Sequence, residues 1–89
     1  MKSPIEEIEN ALEELALPNF INRDEIKKQY YFLAKKYHPD VGGSEEKMES
    51  LNHAYAILID YIDNFRYVFD KDEMVKQFSG VDYVERFKP

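Results

Sequence analysis

The chain has 89 residues, no cysteine, no tryptophan and a net charge of −6. That length suits one small domain that buries roughly 60–65% of its unfolded surface, with seven Tyr and six Phe as large side chains for the core. Without cysteine there is neither a disulfide framework nor a thiolate metal site, which suits a reducing cytoplasm. No apolar run approaches the roughly 18 residues of a membrane span, and the acidic N-terminus is unlike a signal peptide.

A first helix is predicted over roughly Pro4 to Ala16. Ser3 caps it, Pro4 fits the first helical position, and Glu6 can close a capping box. Ile5, Ile8, Leu12 and Leu15 recur at helical spacing on one face. Pro18 is expected to stop it, because the residue before a proline is pushed out of helical geometry. The second helix, Arg23 to Tyr37, has the best start signal: Asn22 as cap, Glu25 to complete the box, and Ile21 with Ile26 as a hydrophobic staple. Its apolar stripe is Ile26, Tyr30, Leu33, Ala34 and Tyr37, with Lys27, Lys28, Lys35 and Lys36 largely off it. Pro39 ends this helix.

Gly42-Gly43 is expected to give a flexible turn, and Ser44 to cap a third helix running to Ile62. Glu45 and Glu46 stand in its first turn, where the helix dipole favours negative charge. Met48, Leu51, Tyr55, Leu58 and Ile62 form its apolar stripe. Two amphipathic helices joined by so short a loop should pack antiparallel, with His38-Pro39-Asp40 at the exposed tip. In the last quarter Asp70 and Glu73 offer a further cap and box, and Phe69 with Met74 a staple. Val75 and Phe78 continue an apolar face, and Gly80 is expected to terminate the helix. Val81 to Phe87 would add one or two turns, with Val84 and Phe87 inward. Alternation of apolar and polar residues never lasts, so the fold class is all-α.

Charge is unevenly spread. Residues 1–22 carry one Lys against five Glu, net −4, and residues 23–37 carry five basic against two acidic groups, net +3. Residues 38–64 carry one Lys against six acids, net −5, and residues 65–89 balance. An acidic chain with one basic segment speaks against nucleic-acid binding and for a local contact with an acidic partner surface.

His38 and Asp40 do not make a catalytic set, because no nucleophile on a sharp turn accompanies them. Ser44 and Ser50 are explained as a cap and a helix-surface residue. His38 and His53 stand fifteen positions apart with no tight pairing, a poor metal set. Gly42-Gly43 lacks the further glycine and lysine of a phosphate loop. No catalytic residue, cofactor or metal is therefore expected, and the chain is not expected to be an enzyme.

Asn22-Arg23-Asp24-Glu25-Ile26-Lys27-Lys28-Gln29-Tyr30 and Leu33-Ala34-Lys35-Lys36-Tyr37 lead into His38-Pro39-Asp40. Val41-Gly42-Gly43-Ser44 leads out, followed by Leu51-Asn52-His53-Ala54-Tyr55 and Leu58. That order resembles the J-domain, the helical module of DnaJ co-chaperones that stimulates ATP hydrolysis by DnaK-type heat-shock chaperones. The resemblance covers roughly Ile5 to Asp60. It implies that His38, Pro39 and Asp40 dock where the partner's nucleotide-binding domain meets its linker and substrate-binding domain, with Asp40 accepting from a partner arginine. It also implies that Lys27, Lys28, Lys35, Lys36 and Tyr30 contribute to partner binding, the lysines by steering the second helix onto an acidic groove. The expected fold is a J-domain-like bundle over residues 1–64, with a long antiparallel hairpin and a short first helix. A C-terminal helical extension, residues 65–89, packs on or continues it. The expected location is cytoplasmic.

The chain departs from the family in four places. The first helix lacks the usual Asp-Tyr-Tyr opening and Leu-Gly-Val exit, and Leu15-Ala16-Leu17-Pro18 stands at its end. Two usually basic positions of the second helix are Tyr31 and Phe32, and Val41 follows the tripeptide where Lys or Arg is usual. The tail lacks the usual basic fourth helix. Tyr31 and Phe32 are expected either to meet a more apolar partner or to pack under the extension, the arrangement favoured here. The alternative function is a J-like scaffold that binds another protein through its aromatic tail without stimulating a chaperone.

Overall fold

The computed structural model describes residues 2–78. In chain order it contains α1 (Pro4–Glu14), α2 (Arg23–Tyr37), a single 3₁₀ turn (Pro39–Val41), α3 (Glu45–Asp63) and α4 (Lys71–Gln77), with no strand among the described residues. The expected all-α fold class is therefore observed among the described residues, with α2 and α3 as a long hairpin.

Local chemistry starts each helix where the caps stand. Ser3 Oγ accepts from the Glu6 amide at 3.1 Å, Asn22 Oδ1 from Glu25 at 2.9 Å, Ser44 Oγ from Lys47 at 3.2 Å, and Asp70 Oδ1 from Glu73 at 2.8 Å. Only at Asn22 is the capping box complete, with Glu25 Oε1 accepting back from the Asn22 amide at 3.1 Å. At α4 the Glu73 carboxylate instead holds Lys76 Nζ at 3.0 Å, so the expected box there is half formed.

α1 ends at Glu14, two residues before the expected limit and well before Pro18. Ala16 takes a left-handed conformation at φ 53°. Its N–H donates to Glu13 O at 3.0 Å, and the Leu17 N–H reaches back to Leu12 O at 2.8 Å. This pair of bonds is a Schellman closure, formed here on alanine rather than glycine.

The core lies where α1 and α2 both pack on α3. Ala11, Leu15, Ile26, Leu51, Ala54 and Leu58 are buried, with Ile8, Leu12, Ile21, Tyr30, Leu33, Tyr37, Met48, Tyr55 and Ile62 packed around them. Ala11 and Ala54 do not stand out in an apolar stripe, yet both are 3% exposed; their small side chains let α1 and α3 approach closely. Ile5, expected inward, is 70% exposed. It sits on the rim of an open groove of about 320 Å³ that also touches Ile8, Leu12, Tyr61 and Ile62. Gln29 Nε2 donates to the Leu15 carbonyl at 2.9 Å, so α2 satisfies an orphan carbonyl at the end of α1.

The Phe69–Met74 staple does not close: Phe69 is 80% and Met74 42% exposed. Both instead border an open apolar groove of about 940 Å³ at the end of the hairpin away from the tripeptide, together with Ile21, Tyr61, Phe65 and Tyr67. α4 has already ended at Gln77, with Phe78 as its C-cap. Gly80 and Val81 to Phe87 lie outside the described residues. No helix among the described residues is long and apolar enough to cross a membrane.

Candidate docking loop and helix face

His38-Pro39-Asp40 is held by the two helices it joins. His38 is at once the C-cap of α2 and the N-cap of the 3₁₀ turn, in extended conformation (φ −63°, ψ 136°). That extended geometry is what proline imposes on the residue before it. The His38 carbonyl accepts from the Val41 and Gly43 amides at 3.1 and 3.0 Å, and the Pro39 carbonyl from Gly42 at 3.1 Å. The Tyr37 carbonyl accepts from Ser44 at 3.0 Å. Four backbone bonds across eight residues leave little freedom, so the expected flexible turn is a closed one.

The two glycines are needed for different reasons. Gly42 sits at φ 82°, a left-handed position with open space around it. Gly43 has no such strain, but a Cβ there would lie 2.0 Å from the Tyr37 carbonyl oxygen and 2.2 Å from its carbon. The backbone of α2 therefore passes against Gly43 directly.

Within the loop, His38 Nδ1 accepts the Asp40 N–H at 3.1 Å. Nδ1 is thereby the acceptor of a short-range bond from side chain to backbone within the loop. Nδ1 also lies 3.6 Å from Asp40 Oδ2. The Asp40 side chain is 90% exposed and the His38 side chain 50%. The loop thus offers an exposed carboxylate and a half-exposed imidazole on a backbone already tied down.

On α2, Lys27, Lys28, Lys35 and Lys36 are all exposed. Lys36 Nζ lies 5.4 Å from the Tyr37 ring centre and Lys47 Nζ 5.3 Å from the same ring; Lys47 also bonds Glu14 Oε1 at 3.2 Å. Those contacts fix Tyr37 under the loop. Tyr30 is half-buried, stacked on Tyr55 at 4.3 Å between ring centres and 19° between planes, and its hydroxyl donates to Asn52. Its ring serves the hairpin first. Tyr31 and Phe32 are 52% and 63% exposed, and Val41 67%. The described part of the extension, residues 65–78, borders the groove at the start of α2 and leaves Tyr31 and Phe32 exposed rather than covered.

Sequence reasoning missed three residues that shape the site: Gly43 for its contact with Tyr37, Lys47 for its place over that ring, and Gln29. The first two carry no motif signal beyond their nearness to the loop.

A closed, exposed loop at the tip of an antiparallel hairpin, with a basic helix leading into it, is the arrangement these residues make. The model of the DnaJ domain matches residues 10–67, and the chain belongs to that family. It is similar to the Chaperone protein DnaJ of Staphylococcus aureus strains JH1 and MW2, each 42% identical over 62 residues, which cover 66% of this chain. The chain spans 16% of the length of those curated relatives. No solved structure matches it significantly.

Proposed function

We propose that this chain is a J-domain co-chaperone that docks on a DnaK-type chaperone through His38, Pro39 and Asp40 and stimulates its ATP hydrolysis. The observation that carries this is the state of Asp40: its backbone is tied to His38 while its carboxylate stands 90% exposed. A partner arginine would meet it in a bidentate, charge-assisted pair. Pro39 and the four backbone bonds reduce the ordering cost of that contact. His38, its side chain half exposed, would add polar and packing contacts that orient the loop. Lys27, Lys28, Lys35 and Lys36 would steer the approach to an acidic groove, and Tyr30 would add the exposed edge of its ring. Hydrolysis takes place in the partner, whose conformational equilibrium this chain biases by its differential affinity.

Residues 1–64 carry this docking in our reading, and residues 65–89 form an extension with a separate role. A second reading rests on that extension. Tyr61, Phe65, Tyr67 and Phe69 form a ladder of ring contacts at 5.7, 5.3 and 6.5 Å beside the large apolar groove. Exposed aromatics in such number suit a protein partner, with or without chaperone stimulation. Single-turnover ATP hydrolysis by the DnaK-type chaperone of the same organism separates the two. Acceleration by the chain supports the co-chaperone reading, and its absence moves the function to the aromatic end.

A further inference from the structure

We propose that Tyr31 and Phe32 make the docking face of α2 part apolar, so that it selects a DnaK-type chaperone whose acidic docking groove carries an apolar patch. This rests on the co-chaperone reading and adds what the partner surface must present. At about 100° per residue, Lys28 and Lys35 fall opposite the Ile26–Leu33–Tyr37 seam, and Tyr31 and Phe32 lie to either side of them. Lys27 and Lys36 form the margins. The result is one outward face with two large rings set among four cations.

Both rings are more than half exposed. Among the described residues, the ring and cation contacts of Tyr31 are the Tyr30 ring, 5.6 Å away and tilted, and Lys27 Nζ at 6.0 Å. Phe32 meets no ring or cation among the described residues. Val41, 67% exposed, extends the apolar character to the loop itself. Neither ring belongs to the core cluster, and residues 65–78 leave both exposed.

The charges around the rings decide the occupant. A second copy of the chain would bring four lysines against four lysines, a like-charge contact that disfavours pairing. An acidic surface is attracted, and it is the same surface that the loop must reach. Aromatic residues inside a charged rim are the usual anatomy of an interface centre, where a few such rings carry most of the affinity. Here they would also confer selectivity, since a partner with only acidic groups opposite would desolvate its charges against apolar rings.

The test replaces both rings by lysine, Tyr31→Lys with Phe32→Lys, in the full chain. Affinity for the ATP-bound DnaK-type chaperone of the same organism is titrated between 50 and 300 mM salt, settings chosen to span strong and weak screening, about 14 to 6 Å. Docking by charge alone predicts tighter binding for this variant at low salt. The proposal predicts binding weaker by about tenfold or more, and a similar loss for Tyr31→Ser with Phe32→Ser. Because both side chains face solvent, an unchanged thermal midpoint is expected to confirm folding. Unchanged or tighter binding of the lysine variant, while wild type stimulates hydrolysis and Asp40→Asn does not, overturns the inference and leaves the docking reading standing. Failure of wild type to stimulate overturns that reading, and the inference with it.

Discussion

Ala16 and Gly43 show how single positions set the geometry on which the rest depends. Ala16 holds φ 53° to close α1, a conformation that costs a residue with a Cβ about 1–2 kcal/mol. Glycine at that place is relieved of the strain but loses more chain entropy, so Ala16→Gly is expected to stabilise the chain by about 0.5–1 kcal/mol. Thermal unfolding should show the midpoint rise by several degrees. A lowered midpoint would contradict this account of the α1 terminus. Gly43 is the reverse case, because its constraint is space. A methyl group 2.0 Å from the Tyr37 carbonyl oxygen must displace the end of α2 or open the turn. Gly43→Ala is expected to cost at least about 2 kcal/mol in urea unfolding and to impair chaperone stimulation together with stability. A wild-type midpoint in that variant would mean the turn is looser than described.

At the scale of elements, α3 is the shared wall of the structure. It runs against both α1 and α2, and Leu51 at its centre is 0% exposed. Truncation to alanine there should cost about 2.7–5 kcal/mol, a large part of a stability on the order of 5–15 kcal/mol. Denaturant midpoints of Leu51→Ala against Phe69→Ala test this. The exposed Phe69 should change stability by no more than about 0.5 kcal/mol, and equal losses would place the core wrongly. Helix starts were legible in the sequence because capping is local: Ser3, Asn22, Ser44 and Asp70 all accept the amide expected of them. Helix ends and partners were less so. The stop of α1 depends on Ala16 rather than Pro18, and Ala11 and Ala54 gain their importance from the distance between two helices. No spacing rule within one helix reports that distance. The bond from Gln29 to Leu15 O likewise crosses between elements.

The whole molecule has two distinct ends. One presents the closed loop and the other the aromatic ladder and groove beside α4, with the lysines of α2 spread along the helix between them. Arg23 and Asp63 pair at that second end, joining the start of α2 to the close of α3, and such an exposed pair contributes little more than a fraction of a kcal/mol, about 0.2–1. The exposed place of His38-Pro39-Asp40 was legible because a proline stop between two amphipathic helices can only lie at their turn. Its rigidity was not, since the close approach of Gly43 to Tyr37 and the His38–Asp40 bond exist only once the hairpin has closed. The position of residues 65–78 away from Tyr31 and Phe32 was also hidden, because composition alone does not say which exposed rings meet.

Under the proposed function, the exposed Asp40 carboxylate carries docking to a DnaK-type ATPase. Single-turnover ATP hydrolysis with wild type and with Asp40→Asn tests it most directly, because asparagine keeps the size and the backbone bond to His38 while removing the charge. Acceleration by wild type, loss of nearly all of it in Asp40→Asn, and the same thermal midpoint for both are expected. Equal acceleration by the two proteins would contradict it.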